Sequence, residues 1–251
     1  MMFVANALLF AGVVGLGVAL ILALLRLPVL PVRQLTVVTP LNQVSSTQLE
    51  YTLLESVTGN FVTMNLDRVR NSMERLPWVR RAVVRRVWPD GLEVELEEHV
   101  AVARWKQGEN SDMRLVNAQG ELFSGPIRDG LPLLVGPPGR VGDVLARYRE
   151  FSEVVAPMGQ ALVSVTLSSR DAWSLRLANE GQNGLQVELG RDQAKSPLVQ
   201  RLARFAAGAK EAQSRLPAPM AVADLRYPNG FAVRLDGKVP KAPHDGRKER
   251  R

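Results

Sequence analysis

The chain reads as a single transmembrane helix followed by an α+β soluble part. That soluble part is a strand-helix-helix-strand-strand module and then a mostly antiparallel β domain with flanking helices. Three observations predict this. An uncharged apolar run, Phe3–Leu25, stands near the amino end. Residues 33–100 then pass from strand to helical periodicity and back to strict alternation. Beyond them, short apolar runs recur between turn signals as far as residue 236.

The apolar run reads FVANALLFAGVVGLGVALILALL, with Asn6 as its one polar side chain. At about 1.5 Å per residue it reaches roughly 35 Å as a helix, enough to cross a hydrocarbon core of about 30 Å with some tilt. Helix is required there, because lipid offers no partner to open backbone groups. Gly12, Gly15 and Gly17 make a small-residue strip suited to packing on another membrane helix. Their G-x-G spacing follows no strand and is set aside as a dinucleotide signature. A cleaved signal peptide wants a charged start, a shorter apolar core and a small-residue cleavage site. Here the start is uncharged and Arg26-Leu-Pro follows, so the run reads as an anchor. Arg26 and Arg33 flank its carboxyl end, and charge alone would place the soluble part in the cytoplasm.

Residues 26–32 hold Pro28 and Pro31 and read as a short stiff linker. Arg33–Thr39 has the β-branched character of a strand. Ser45-Ser-Thr47 with Gln48 and Glu50 predicts a capping-box helix start, and Leu49, Leu53, Leu54 and Val57 share a face up to Gly59. A second helix puts Leu66, Val69, Met73 and Leu76 on one face and ends at Pro77. Val79–Trp88 is a strand, Pro89-Asp-Gly91 a turn, and Leu92–Glu97 alternates apolar and acidic.

Further strands are predicted at Ala101–Trp105, Met113–Val116, Glu121–Phe123, Ala161–Leu167, Trp173–Leu177, Leu185–Leu189, Met220–Leu225 and Phe231–Leu235. Two helices interrupt them, near Asp143–Val155 and Pro197–Gln213. The second carries Leu198, Leu202, Phe205 and Ala209 on its buried stripe. The tail 237–251 is basic, has no apolar pattern and is expected to be disordered.

Nothing in the composition points to an enzyme. Cysteine is absent, which removes disulfides, thiolate metal sites and a cysteine nucleophile. His99 and His244 are the two histidines. His99 follows Glu97-Glu98, where a general base is one reading and a surface histidine the plainer one. No zinc-protease, serine-hydrolase or phosphate-loop motif occurs. Glu93, Glu95 and Glu97 share a strand face, fit either to hold a cation or to solubilise the sheet against Arg80, Arg81, Arg85 and Arg86.

Arg68 to Arg86 holds seven arginines against one acid, Glu74. It reads equally as a docking patch and as strand-pair neutralisation. The net charge of +7 raises nucleic acid, but no nucleic-acid module carries it, so no nucleic acid and no small-molecule substrate are expected.

One resemblance goes further. Gly59-Asn-Phe-Val-Thr-Met-Asn-Leu-Asp67, Leu76-Pro-Trp-Val-Arg80, Ala82-Val-Val-Arg-Arg-Val-Trp-Pro-Asp90 and Glu98-His-Val-Ala-Val-Ala-Arg-Trp105 resemble the FtsQ/DivIB family of bacterial divisome proteins, in its Gram-negative form. The likeness continues through Leu189-Gly-Arg191, Arg201-Leu-Ala-Arg-Phe205 and Asp224-Leu-Arg-Tyr227.

It implies 33–100 as a POTRA domain and 101–236 as the FtsQ-type β domain, behind the membrane helix at 3–25; with residues 1–2 as a minimal cytoplasmic N-terminus, this sequence departs from the family in having almost no cytoplasmic tail. It also implies a single-pass type II protein of the inner membrane, with its soluble part in the periplasm and concentrated at the septum. We follow that topology rather than the two-arginine rule. The implied partners are FtsB and FtsL, directly or as a complex, together with other divisome proteins. FtsB would add a strand to the carboxyl-terminal β edge at Arg170, Tyr227, Asn229 and Gly230. Tyr227 reads as an aromatic anchor or as a core-capping tyrosine.

Two rivals share parts of this pattern. A POTRA-bearing protein of secretion or outer-membrane assembly predicts repeated POTRA units and a barrel. A tethered wall hydrolase predicts an acid/base or metal constellation.

Overall fold

The computed structural model describes residues 2–26, 34–57, 61, 63–108, 111–178, 184–227 and 230–236. The linker predicted beyond Arg26, the tail 237–251, Gly59 and Asn229 lie outside the described residues. The chain divides into two compact units, Met1–Val100 and Ala101–Arg251.

In the first unit α1 (Met2–Arg26) covers the apolar run. Its side chains are described at Asn6 and from Leu9 to Leu20, and Leu9, Phe10, Val13, Leu16 and Leu20 are exposed. Among the described residues no helix is long and apolar enough to cross a membrane.

Then come β1 (Gln34–Val37), α2 (Ser46–Ser56), α3 (Leu66–Met73), β2 (Val79–Val87) and β3 (Gly91–Glu98), in the predicted order. The sheet order is β1-β3-β2. β2 pairs antiparallel with β3, and β1 returns to pair parallel with it. Leu92, Val94 and Leu96 are buried with Leu49 and Leu53 of α2 and Val69 and Met73 of α3. Alternation along β3 therefore becomes one apolar face under two helices.

Two local expectations are corrected. Ser45 stands at the start of α2, but its side chain makes no capping bond. Separately, the Glu98 carboxylate collects amides of the segment that leads into the helix, accepting from the backbone N–H of Asn42 (3.0 Å), Gln43 (3.0 Å) and Val44 (2.8 Å). The arginines of β2 also divide their work. Arg80 pairs with Glu97 at 2.6 Å. Arg86, opposite Leu92 in register, stays exposed and lays its guanidinium on the carbonyls of Phe61 (2.8 Å) and Met64 (2.5 Å).

Among the described residues, the second unit is one nine-stranded sheet with two α-helices. In chain order it runs β4 (Ala101–Lys106), β5 (Arg114–Asn117), β6 (Leu122–Phe123), β7 (Leu133–Val135), α4 (Val141–Val155), β8 (Ala161–Leu167), β9 (Ala172–Ala178), β10 (Leu185–Arg191), α5 (Leu198–Ser214), β11 (Met220–Asp224) and β12 (Ala232–Leu235).

Across the sheet the order is β12-β11-β10-β9-β8-β7-β4-β5-β6. Five of the eight pairings are antiparallel; β4–β7, β7–β8 and β10–β11 are parallel. Two of the parallel steps, β7–β8 through α4 and β10–β11 through α5, are helix crossovers, whereas β4 reaches β7 by way of the β5–β6 excursion. Leu133–Val135 is a strand that periodicity did not predict; three residues are too few to show a period. Phe151 of α4 meets Trp173 of β9 edge to face, with ring centroids 6.0 Å apart, at the centre of the core.

Candidate functional site

The carboxyl end of the second unit makes an open sheet edge. β10 leads through α5 into β11, parallel to β10, and a turn brings β12 back antiparallel on β11. β12 is the last strand in the sheet order, and no described strand pairs with its outer side. In an antiparallel edge strand every other residue turns its N–H and C=O outward. Those groups form a template for an added strand. Val233 packs against the core while Ala232 and Arg234 are exposed, so the edge is fixed on one face and open along its rim.

Three segments distant in sequence brace that edge at one end. Arg201, in the first turn of α5, is 3% exposed. Its guanidinium donates to the carbonyls of Leu189, of Arg191 (2.5 Å) and of Ser196 (3.0 Å). Burial pulls its pKa down, the neighbouring Asp192 opposes that pull, and Arg204 adds to it. Every hydrogen-bond acceptor of this buried cation is a backbone carbonyl, two on β10 and one just before α5.

Gly190 sits at the bulge between β9 and β10 with φ +72°, and a Cβ there would lie 2.9 Å from Cγ of Arg226. The left-handed φ favours glycine here, and the absence of a Cβ leaves room for the Arg226 side chain. Arg226 chelates Asp224, with Nε 2.8 Å from Oδ1 and Nη2 2.5 Å from Oδ2. That side-chain hydrogen bond holds the Asp224 carboxyl below its ordinary range, against a smaller opposing effect of burial. Phe205 of α5 meets Phe231 edge to face, with centroids 5.1 Å apart, just before β12 begins. Arg201, Arg204, Phe205, Leu225, Gly230 and Phe231 line a cleft of about 220 Å³ beside the edge.

The expected site residues fall as follows. Tyr227 follows this brace and is 55% exposed, so its ring is available to a partner and is not a core cap. Gly230 is exposed, and a Cβ there would meet nothing within 4 Å. Arg170 is exposed in the β8–β9 turn, and its carbonyl accepts from Nε of Arg191 at 2.8 Å. The register of β9 on β10 and of β10 on β11 brings that turn to the end of the sheet where β11 runs into Tyr227. The structure thus gathers Arg170, Tyr227 and Gly230 at one end of the sheet.

Sequence reading missed Arg201 as the brace. The signal was present, because Arg201 lies three residues after Leu198 and four before Phe205, on the stripe that is otherwise apolar.

The other candidates are placed too. Glu97 of the acidic face is paired with Arg80. Among the described residues no group of three or more His, Asp or Glu is placed to hold a metal ion. His99 extends β3 by donating its backbone N–H to the Trp78 carbonyl at 2.8 Å.

Comparison with known proteins places both units in one family. Residues 30–99 match the family described as POTRA domain, FtsQ-type. Residues 103–226 match the family described as cell division protein FtsQ/DivIB, C-terminal. The chain is 43% identical over 182 residues to Cell division protein FtsQ of Burkholderia pseudomallei, covering 71% of this chain and 69% of that one. It is 36% identical over 215 residues to the FtsQ of Nitrosospira multiformis, covering 84% and 86%. It is 33% identical over 195 residues to the FtsQ of Escherichia coli, covering 74% and 65%.

Proposed function

The chain belongs to the FtsQ/DivIB family of cell division proteins, and on that premise we propose that it is a membrane-anchored scaffold that receives a strand of FtsB on the outer side of β12. In this reading α1 spans the inner membrane, with residues 1–2 inside, and both units lie in the periplasm. The domain limits are 33–100 for the POTRA unit and 101–236 for the β domain. Through FtsB and its companion FtsL, the scaffold links earlier division proteins to septal peptidoglycan synthesis. It carries no catalytic role.

The observation that carries the reading is the outer rim of β12, on which no described strand pairs, with the Phe205–Phe231 contact just before it and the Arg201 and Gly190 contacts on β10 nearby. An extended peptide gains backbone hydrogen bonds along such a rim without remodelling the host. Beside the rim, Tyr227 supplies an apolar body with a polar tip, a side chain favoured as an interface anchor. Arg170 offers a guanidinium to an acidic side chain of the incoming segment. Asn229 belongs to the same turn by sequence. For α1, the support is an uncharged apolar run whose described large side chains lie open, as lipid contact requires.

The test is binding of purified FtsB to the detergent-solubilised chain. Tyr227→Ala is expected to weaken binding by more than tenfold, about 1.4 kcal/mol, while the melting curve stays unchanged. Absence of FtsB binding by the unmutated chain would end the partner assignment. A topology reporter placing the β domain in the cytoplasm would end the membrane assignment.

A further inference from the structure

The β2–β3 turn of the POTRA unit carries Trp88, 83% exposed, more than any other large hydrophobic side chain described in the chain. Val87 beside it and Leu35 of β1 are also open to solvent, at 47% and 41%. Among the described residues of this unit, the hydrophobic cluster does not include the indole. Nearby, Arg86 donates to the carbonyls of Phe61 and Met64.

The turn also has a fixed place relative to the anchor. Gln34, the first residue of β1, donates its backbone N–H to the Asp90 carbonyl at 3.4 Å. Gln34 comes eight residues after Arg26, the end of α1. Eight residues span at most about 28 Å even when fully extended. The tip that presents Trp88 is therefore tied to the residue at which the chain leaves the anchor.

We propose that the Val87–Gly91 tip docks on the bilayer surface from which α1 emerges, with the Trp88 indole seated at the level of the lipid headgroups. The inference rests on reading α1 as a membrane anchor. An indole suits that depth, because its apolar body sits against the acyl boundary while its N–H stays in the wet headgroup layer. The charge pattern agrees. Arg26 and Arg33 flank the tether in sequence, no acidic residue precedes Glu50, and Arg85 is exposed near the tip. Asp90 and Glu93 offset part of this charge, so tryptophan burial leads and attraction to anionic lipid assists. Docking would hold the POTRA sheet in one orientation to the membrane, which an eight-residue tether alone does not do.

The chain has no cysteine, so single-cysteine labelling needs no background changes. The full chain is reconstituted in vesicles of phosphatidylcholine with phosphatidylglycerol. An environment-sensitive fluorophore is placed at Val87→Cys, Tyr51→Cys or Leu16→Cys, and is quenched by lipids bearing a nitroxide at the headgroup or deep in the acyl chain. Tyr51 is the control, an exposed position on α2. The V87C label is expected to be quenched severalfold more by the headgroup nitroxide than the Y51C label. The added change Trp88→Ser should abolish that difference with no shift in melting temperature, because the indole is solvent-facing.

If L16C is quenched by deep nitroxides while V87C matches Y51C, the docking is wrong and the anchor stands. If L16C reports water, the anchor reading fails and the docking falls with it. Quenching at V87C that survives W88S would also overturn the role given to the indole. A V87C label shielded only when another division protein is added would assign the tip to a protein surface, and the lipid proposal would be withdrawn.

Discussion

Each unit uses one charged side chain to gather backbone that its own secondary structure leaves loose, and the two do it with opposite signs. In the POTRA unit the Glu98 carboxylate collects N–H groups of Asn42, Gln43 and Val44. In the β domain the Arg201 guanidinium collects carbonyls of Leu189, Arg191 and Ser196. Glu98 is half-buried at a sheet end, while Arg201 is sealed beneath α5. A side chain with water nearby leaves groups that solvent can satisfy once it is gone. A sealed one leaves them stranded. Similar hydrogen-bond counts therefore do not mean similar importance.

The largest expected effect is Arg201→Met, which keeps much of the volume and removes every donor. Three stranded carbonyls should cost the β domain roughly 3–5 kcal/mol, read as a fall in its thermal or denaturant transition. FtsB binding should drop with it, because β10, α5 and the edge lose their common brace. Glu98→Ala comes next, at about 1.5–3 kcal/mol in the POTRA transition, with FtsB binding unmoved. If the two losses come out equal, burial is not what separates these side chains.

The smallest effect concerns pH. Asp224 is held below its ordinary value of 3.8, first by the Arg226 hydrogen bond. The folded state therefore binds fewer protons there than the unfolded chain. The pair's contribution is complete above about pH 4 and fades on acidification through the lowered folded value. Arg226 is largely exposed, so the contribution is small. A pH titration of stability should lose this component in Asp224→Asn, and a titration identical in the two proteins would remove the pair from the brace.

The candidate site was legible only in part. Arg170, Tyr227 and Gly230 came from the likeness to a family, and no period or motif marked them as neighbours. Their convergence depends on β9, β10 and β11 lying side by side, which is a matter of long-range register. Arg201 did leave a local trace, a cation on an apolar helical stripe. That trace reads as a brace only once the carbonyls it reaches are known.

The element order of the POTRA unit was readable directly. Leu92, Val94 and Leu96 alternate with Glu93, Glu95 and Glu97, and alternation records which face a strand buries. The apolar run that became α1 was equally plain, because 23 uncharged residues need no partner to declare themselves. Tertiary structure alone decided that three residues at Leu133–Val135 join β4 to β8, that Glu98 gathers the amides of residues 42–44, and that β12 is the last described strand of its sheet. Side-chain periodicity reports burial within one segment. Which backbone lies alongside which depends on residues far apart in the chain, and no local pattern holds that information.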